Sequence, residues 1–163
     1  MKIFFVFLLL PFFSFSQTVH VKDGNILYEG QEKVTGVSAS EISRRIESVL
    51  SSIVSNYKVE KRSNDAIKAR GELKLKTPYT IIRTVSYSIE LTAIENGYEY
   101  LIDSVSFSEK RRGEKSTTKS SKEILDNMSE QGSIVGETEK LLNETDMRFQ
   151  RLLALLKVRI NKG

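Results

Sequence analysis

Between Ile67 and Ala93, apolar and polar residues alternate with the strictness of half-buried strands. Ile67, Ala69, Gly71, Leu73 and Leu75 take turns with Lys68, Arg70, Glu72, Lys74 and Lys76. Pro78 ends that run. A second then sets Val85, Tyr87, Ile89, Leu91 and Ala93 against Ser86, Ser88, Glu90 and Thr92. A period of two sends successive side chains to opposite faces, so one face of the sheet needs a cover and the other stays wet. Asn96-Gly97 follows, a pair in which both residues tolerate the positive φ of a type I′ hairpin turn. A two-residue loop there places Glu95 opposite Tyr98, Ala93 opposite Tyr100 and Leu91 opposite Ile102, and the apolar sets coincide. Beyond Asp103 the parity flips to Val105 and Phe107, which predicts a bulge or the sheet edge.

The cover is written on either side of this block. Ser38 and Glu41 have capping-box spacing, and Ile42, Ile46, Val49, Leu50, Ile53 and Val54 recur at three and four, which predicts a helix over 39–55. Near the end, Leu141, Thr145, Phe149, Leu152, Leu153, Leu156 and Ile160 mark one side of a helix over 137–160. Its acidic start and basic end suit the helix dipole. Residues 25–35 read as a first strand with Gly30 as a bulge, and 57–62 as another before the Ser63-Asn64-Asp65 turn. The stretch from Glu109 to Lys122 has no apolar residue and reads as an exposed basic loop. Ser120 and Glu123 repeat the capping spacing, predicting a short helix over 121–130 that Gly132 and Gly136 interrupt. The order is strand, helix, four strands, helix. This is an α+β domain whose antiparallel sheet carries both helices on one face.

The first sixteen residues stand apart. Lys2 precedes an apolar run from Ile3 to Phe13, and Ser14 and Ser16 put small side chains before Gln17, the pattern of a cleaved secretory leader. A bilayer span needs about 20 apolar residues, more than this run offers. The expected location is therefore periplasmic or extracellular, without a transmembrane span. The chain has no cysteine, which excludes disulfides and a thiol-linked lipid anchor. Removing residues 1–16 from 163 leaves 147, enough for one packed domain. The expected layout is a leader at 1–16, the sheet and first helix at 17–108, a basic insertion at 109–136, and a helix at 137–163 completing the same domain. The formal charge of +4 is too mild to point to nucleic acid.

Three segments together resemble a known family: the LYEG strand, the capped helix, and the hairpin SYSIELTAIENGYEYLIDSVSF. The chain is similar to an exported bacterial domain of unknown function with a fold like that of the TATA-binding protein. The resemblance covers about residues 20–108 and, by topology, the last helix. It implies the fold and carries no catalytic residue across.

Catalytic groups are sparse. His20 is the only histidine, it lies near the expected mature terminus, and with no cysteine no triad or zinc site can be assembled. No catalytic residue, metal site or cofactor is expected. The hairpin register sets Glu90 opposite Asp103, and a carboxylate pair could do the acid–base work of a hydrolase or lyase, hold a hard cation, or be a solvated pair relieved by nearby cations. The wet sheet face gathers Lys68, Arg70 and Lys74 from one strand with Ser86, Ser88 and Glu90 from the next, and Asp103 beyond. It reads either as plain solvated surface or as a surface for an envelope protein, a glycan or a small polar ligand. Nucleic acid is not an expected partner, because minor-groove binders of this fold insert apolar wedges where this face carries Ser, Thr and charge. The basic run Lys110, Arg111, Arg112, Lys115, Lys119 and Lys122 is either a solvated loop or a contact to anionic envelope material in a structural or stress role.

Overall fold

The computed structural model describes residues 21–75, 81–130 and 135–163. Residues 1–16, where a leader is expected, and Gln17, His20, Lys76, Pro78 and Gly132 lie outside the described residues. Strands β1 (Val21–Lys22) and β2 (Asn25–Ile26) form a small ribbon across Asp23-Gly24, where both residues have positive φ. There follow β3 (Tyr28–Lys33), α1 (Ala39–Ile53), β4 (Lys58–Arg62), β5 (Ala66–Leu75), β6 (Ile81–Ile94) and β7 (Gly97–Arg111). The chain ends with β8 (Thr117–Ser120), α2 (Ser121–Glu130) and α3 (Val135–Lys162). The main sheet is antiparallel with order β3-β7-β6-β5-β4, and β8 joins β7 on the edge that β3 uses further along.

The fold is α+β, with α1 and α3 packed against each other and laid on one face of the sheet. The alternating residues Ile67, Ala69, Val85, Tyr87, Ile89, Leu91 and Ile102 supply the sheet side of the core, and Ile42, Ile46 and Leu50 supply α1. Phe149 is fully buried, its ring 5.1 Å from Tyr28 and 5.0 Å from Tyr87. Two polar residues of α3 are buried within this stripe. Thr145 Oγ1 donates to the Leu141 carbonyl, and Asp146 accepts from the Tyr28 hydroxyl at 2.9 Å. Burial, then this carboxyl, push the Tyr28 phenol far above its ordinary range. No described helix is long and apolar enough to cross a membrane.

Several expectations need correction. The hairpin loop is Glu95-Asn96, with Ile94 opposite Gly97, so Ala93 faces Tyr98, Leu91 faces Tyr100 and Ile89 faces Ile102. Asn96 alone takes the positive φ, 58°. Gly97 is needed inside the strand, where a Cβ would sit 2.5 Å from the Glu32 backbone oxygen of β3. The slip of two residues keeps every side chain on its face. Gly30 is no bulge. It lies in regular pairing opposite Tyr100, whose ring fills the space where a Cβ would stand. The bulge falls at Ser104, which has φ 53°, and the register shifts there between β6 and β7. The stretch read as a basic loop holds the end of β7 and all of β8. Pairing of Glu109 with Thr117 through Ser106 with Ser120 needs only backbone groups, so it leaves no apolar trace.

At the head of α1, Ser38 Oγ accepts from Glu41 N at 3.4 Å, but the Glu41 carboxylate does not complete the box. It accepts from Arg44 and Arg45 instead, and Arg45 also donates to the Ile160 carbonyl near the end of α3 at 3.0 Å. The Arg44 hydrogen bond, then that of Arg45, hold the Glu41 carboxyl at about 2, against 4.5 unperturbed. A depressed folded value adds stability that is present above pH 4.5 and lost as pH falls toward 2. Glu41→Gln should therefore lower stability at neutral pH and converge with the wild type near pH 2, flattening the loss between pH 4.5 and 2 in urea denaturation followed across that range. An unchanged acid limb would contradict the pairing.

Candidate functional site

The face of the sheet away from the helices carries the residues singled out by alternation, and its cross-strand register decides which of them meet. Lys68 lies opposite Glu90, Arg70 opposite Ser88, Glu72 opposite Ser86 and Lys74 opposite Thr84. Across the next strand Ser88 faces Asp103 and Glu90 faces Leu101. The expected Glu90–Asp103 pair is thus absent, a consequence of the two-residue slip. Without it, the carboxylate acid–base reading loses its geometry.

A different cluster forms. Lys68 Nζ meets Asp103 Oδ2 at 3.2 Å, linking β5 to β7 over the intervening β6. Two strand spacings amount to about 10 Å, so both side chains must extend toward each other across the face. Glu60 of β4 does the same in the other direction. Its Oε1 is 2.8 Å from Arg70 Nη2, and its Oε2 accepts from Ser88 Oγ of β6 at 3.0 Å. Ser88 is 3% exposed and lies beneath these longer side chains. Residues from four strands are therefore tied in two crossed links.

Charge within this cluster is consequently paired. Lys68, Asp103 and Glu60 are each about a quarter exposed, whereas Arg70 is 61% exposed beyond its contact with Glu60. Lys74 is exposed, and Ser86 and Glu90 are half-buried beside the cluster. The Asp103 carboxyl keeps one unused acceptor: Oδ1 is buried and has no hydrogen-bond partner among the described residues. A buried acceptor without a donor costs about 1–3 kcal/mol. Ser104, held at positive φ by the bulge, sets Asp103 at the end of the regular pairing with β6. Among the described residues no group of three His, Asp or Glu side chains could hold a metal ion.

Glu60 is the member that sequence reasoning missed. Its alternation partner Val59 is 37% exposed and every residue of β4 is exposed or nearly so, with a register irregularity between Val59 and Lys61. Alternation therefore did not report burial there. The available signal was chemical, a lone acid within a basic stretch from Lys58 to Arg62.

No family model and no curated protein matches the chain. Solved structures share its fold. A TBP-like protein from Parabacteroides distasonis superposes with a TM-score of 0.70 at 16% identity, covering 89% of this chain and 98% of that one. A DUF4468 family protein from Bacteroides ovatus superposes with a TM-score of 0.67 at 13% identity, covering 87% and 90%. The chain thus has a TBP-like fold shared with a bacterial domain of unknown function. At these identities the likeness speaks for architecture alone.

Proposed function

We propose that this protein is an exported, non-enzymatic binding module whose polar sheet face takes a polar partner: an envelope protein, a glycan or a small hydroxyl-rich ligand. The observation that carries the reading is Asp103 Oδ1, a buried acceptor with no hydrogen-bond donor among the described residues, on the sheet face opposite the helices. The crossed links hold Lys68, Glu60 and Ser88 in place before any partner arrives, which lowers the ordering cost of binding. Export is supported by the leader pattern of Lys2, the apolar run and Ser14/Ser16. Intact mass of the protein from its host should begin at Gln17, and a retained Met1 would overturn export. A structural or envelope-stress role through the basic hairpin is the second reading, favoured by the unbroken exposure of residues 110–120.

The test of the sheet face uses its exposed cations; it breaks the Arg70–Glu60 ion pair and leaves the residues of the Lys68–Asp103 and Ser88–Glu60 links in place. Wild-type protein and an Arg70→Glu/Lys74→Glu variant are compared on envelope extract and on an immobilised glycan panel. The expected result is a bound species whose affinity falls at least tenfold in the variant while its denaturation midpoint holds. Identical binding by both proteins would reject this face as the site.

A further inference from the structure

The formal charge of the chain is concentrated in one place. Residues 109–122 contain six basic and two acidic side chains, which accounts for the whole +4, and the rest of the chain balances at nineteen of each sign. This segment is the far end of the β7–β8 hairpin and the entry to α2. Every residue from Lys110 to Ser120 is exposed. The turn is closed by Glu114 N on the Arg111 carbonyl at 3.1 Å and by Gly113 at positive φ, so the charges ride on a formed element.

Within it the cations differ. Arg111 is paired with Glu109, which also holds Arg83 at 2.7 Å. Lys110, Arg112 and Lys115 make no ion pair among the described residues. Directly across the strand pair from Lys110 stands Ile82, 58% exposed, the most exposed of the large apolar residues described. An isoleucine left in water beside the unpaired Lys110, at the base of a turn that also carries Arg112 and Lys115, matches the boundary of an anionic bilayer, where cations meet headgroup phosphates and an apolar side chain enters the acyl edge. Polysaccharide or nucleic acid would satisfy the cations and leave Ile82 without a role.

We infer that the tip of the β7–β8 hairpin docks on anionic lipid, with Lys110, Arg112 and Lys115 at the headgroups and Ile82 at the hydrocarbon boundary. This contact is independent of the polar sheet face, so either can fail alone. The test is co-sedimentation of the protein, as purified from its host, with phosphatidylcholine vesicles containing roughly a third phosphatidylglycerol or none. Binding to the anionic vesicles is expected, falling as salt rises. Each neutralised cation should weaken it about fivefold, so Lys110→Gln/Arg112→Gln/Lys115→Gln should lose about a hundredfold. Ile82→Asn should lose about tenfold at a salt concentration that screens the charges. All four positions are exposed, and an unchanged denaturation midpoint will confirm that the variants fold. Equal binding to uncharged vesicles, an unaffected triple variant or an unaffected Ile82→Asn would each overturn the inference. Retention on an acidic polysaccharide or duplex DNA column without vesicle binding would overturn it as well.

Discussion

Phe149→Ala should destabilise the protein by about 3–5 kcal/mol, the range for truncating a fully buried phenylalanine. Phe149 has no exposed surface and is the residue through which α3 meets two aromatic rings of the sheet, tilted against Tyr28 and edge-on to Tyr87. Such pairs add about 0.5–1.5 kcal/mol each beyond burial. The void cannot close easily, because Tyr28 is fixed in β3 and Tyr87 in β6, and neither strand can approach the helix without breaking its ladder. Equilibrium urea unfolding measures the loss. A change below about 1 kcal/mol would mean that α3 is not anchored there.

What could be read from the residues depended on whether apolar burial was involved. The α1 stripe is buried at Ile42, Ile46, Val49 and Leu50, and the β5 and β6 alternations bury the residues their parity selects except Leu73, which is half-buried. The bulge near Asp103 was legible because Val105 and Phe107 change parity, and Ser104 absorbs the extra residue. Features held by backbone alone were not legible. Strand β8 pairs four exposed residues to β7, and nothing in Thr117–Ser120 distinguishes it from a polar loop. Gly97 misled because a glycine after asparagine serves two purposes. Here the turn needed only Asn96, and the glycine answers the close approach of Glu32.

The candidate site follows the same division. Its membership on one face was written in the alternation that groups Lys68, Arg70, Ser88 and Asp103. Its pairing was not, because a slip of two residues preserves faces while changing neighbours, turning an expected Glu90–Asp103 pair into a Ser88–Asp103 one. Crossed links such as Lys68 to Asp103 depend further on how far side chains reach over an intervening strand, which no period encodes.

The buried acid of α3 shows the converse, a polar residue hidden in an apolar stripe, and it supports a second large effect. Asp146 is 1% exposed, and its Oδ1 accepts a hydrogen bond from Tyr28 Oη. Tyr28→Phe removes that donor and leaves the carboxyl buried, whereas the ring remains to pack on Phe149. Hydrogen bonds to charged groups contribute about 1.5–3 kcal/mol, and an orphaned buried charge costs more than a neutral group. The expected loss is about 3 kcal/mol. The cost should lie in the orphaned group more than in the missing bond, because replacing both partners by apolar groups is often nearly neutral. Tyr28→Phe/Asp146→Leu should therefore recover most of what Tyr28→Phe loses, a coupling that a double-mutant cycle in urea reads directly. If the double variant is as unstable as the sum of the singles, Asp146 is satisfied some other way and the pair does not fasten α3 to β3.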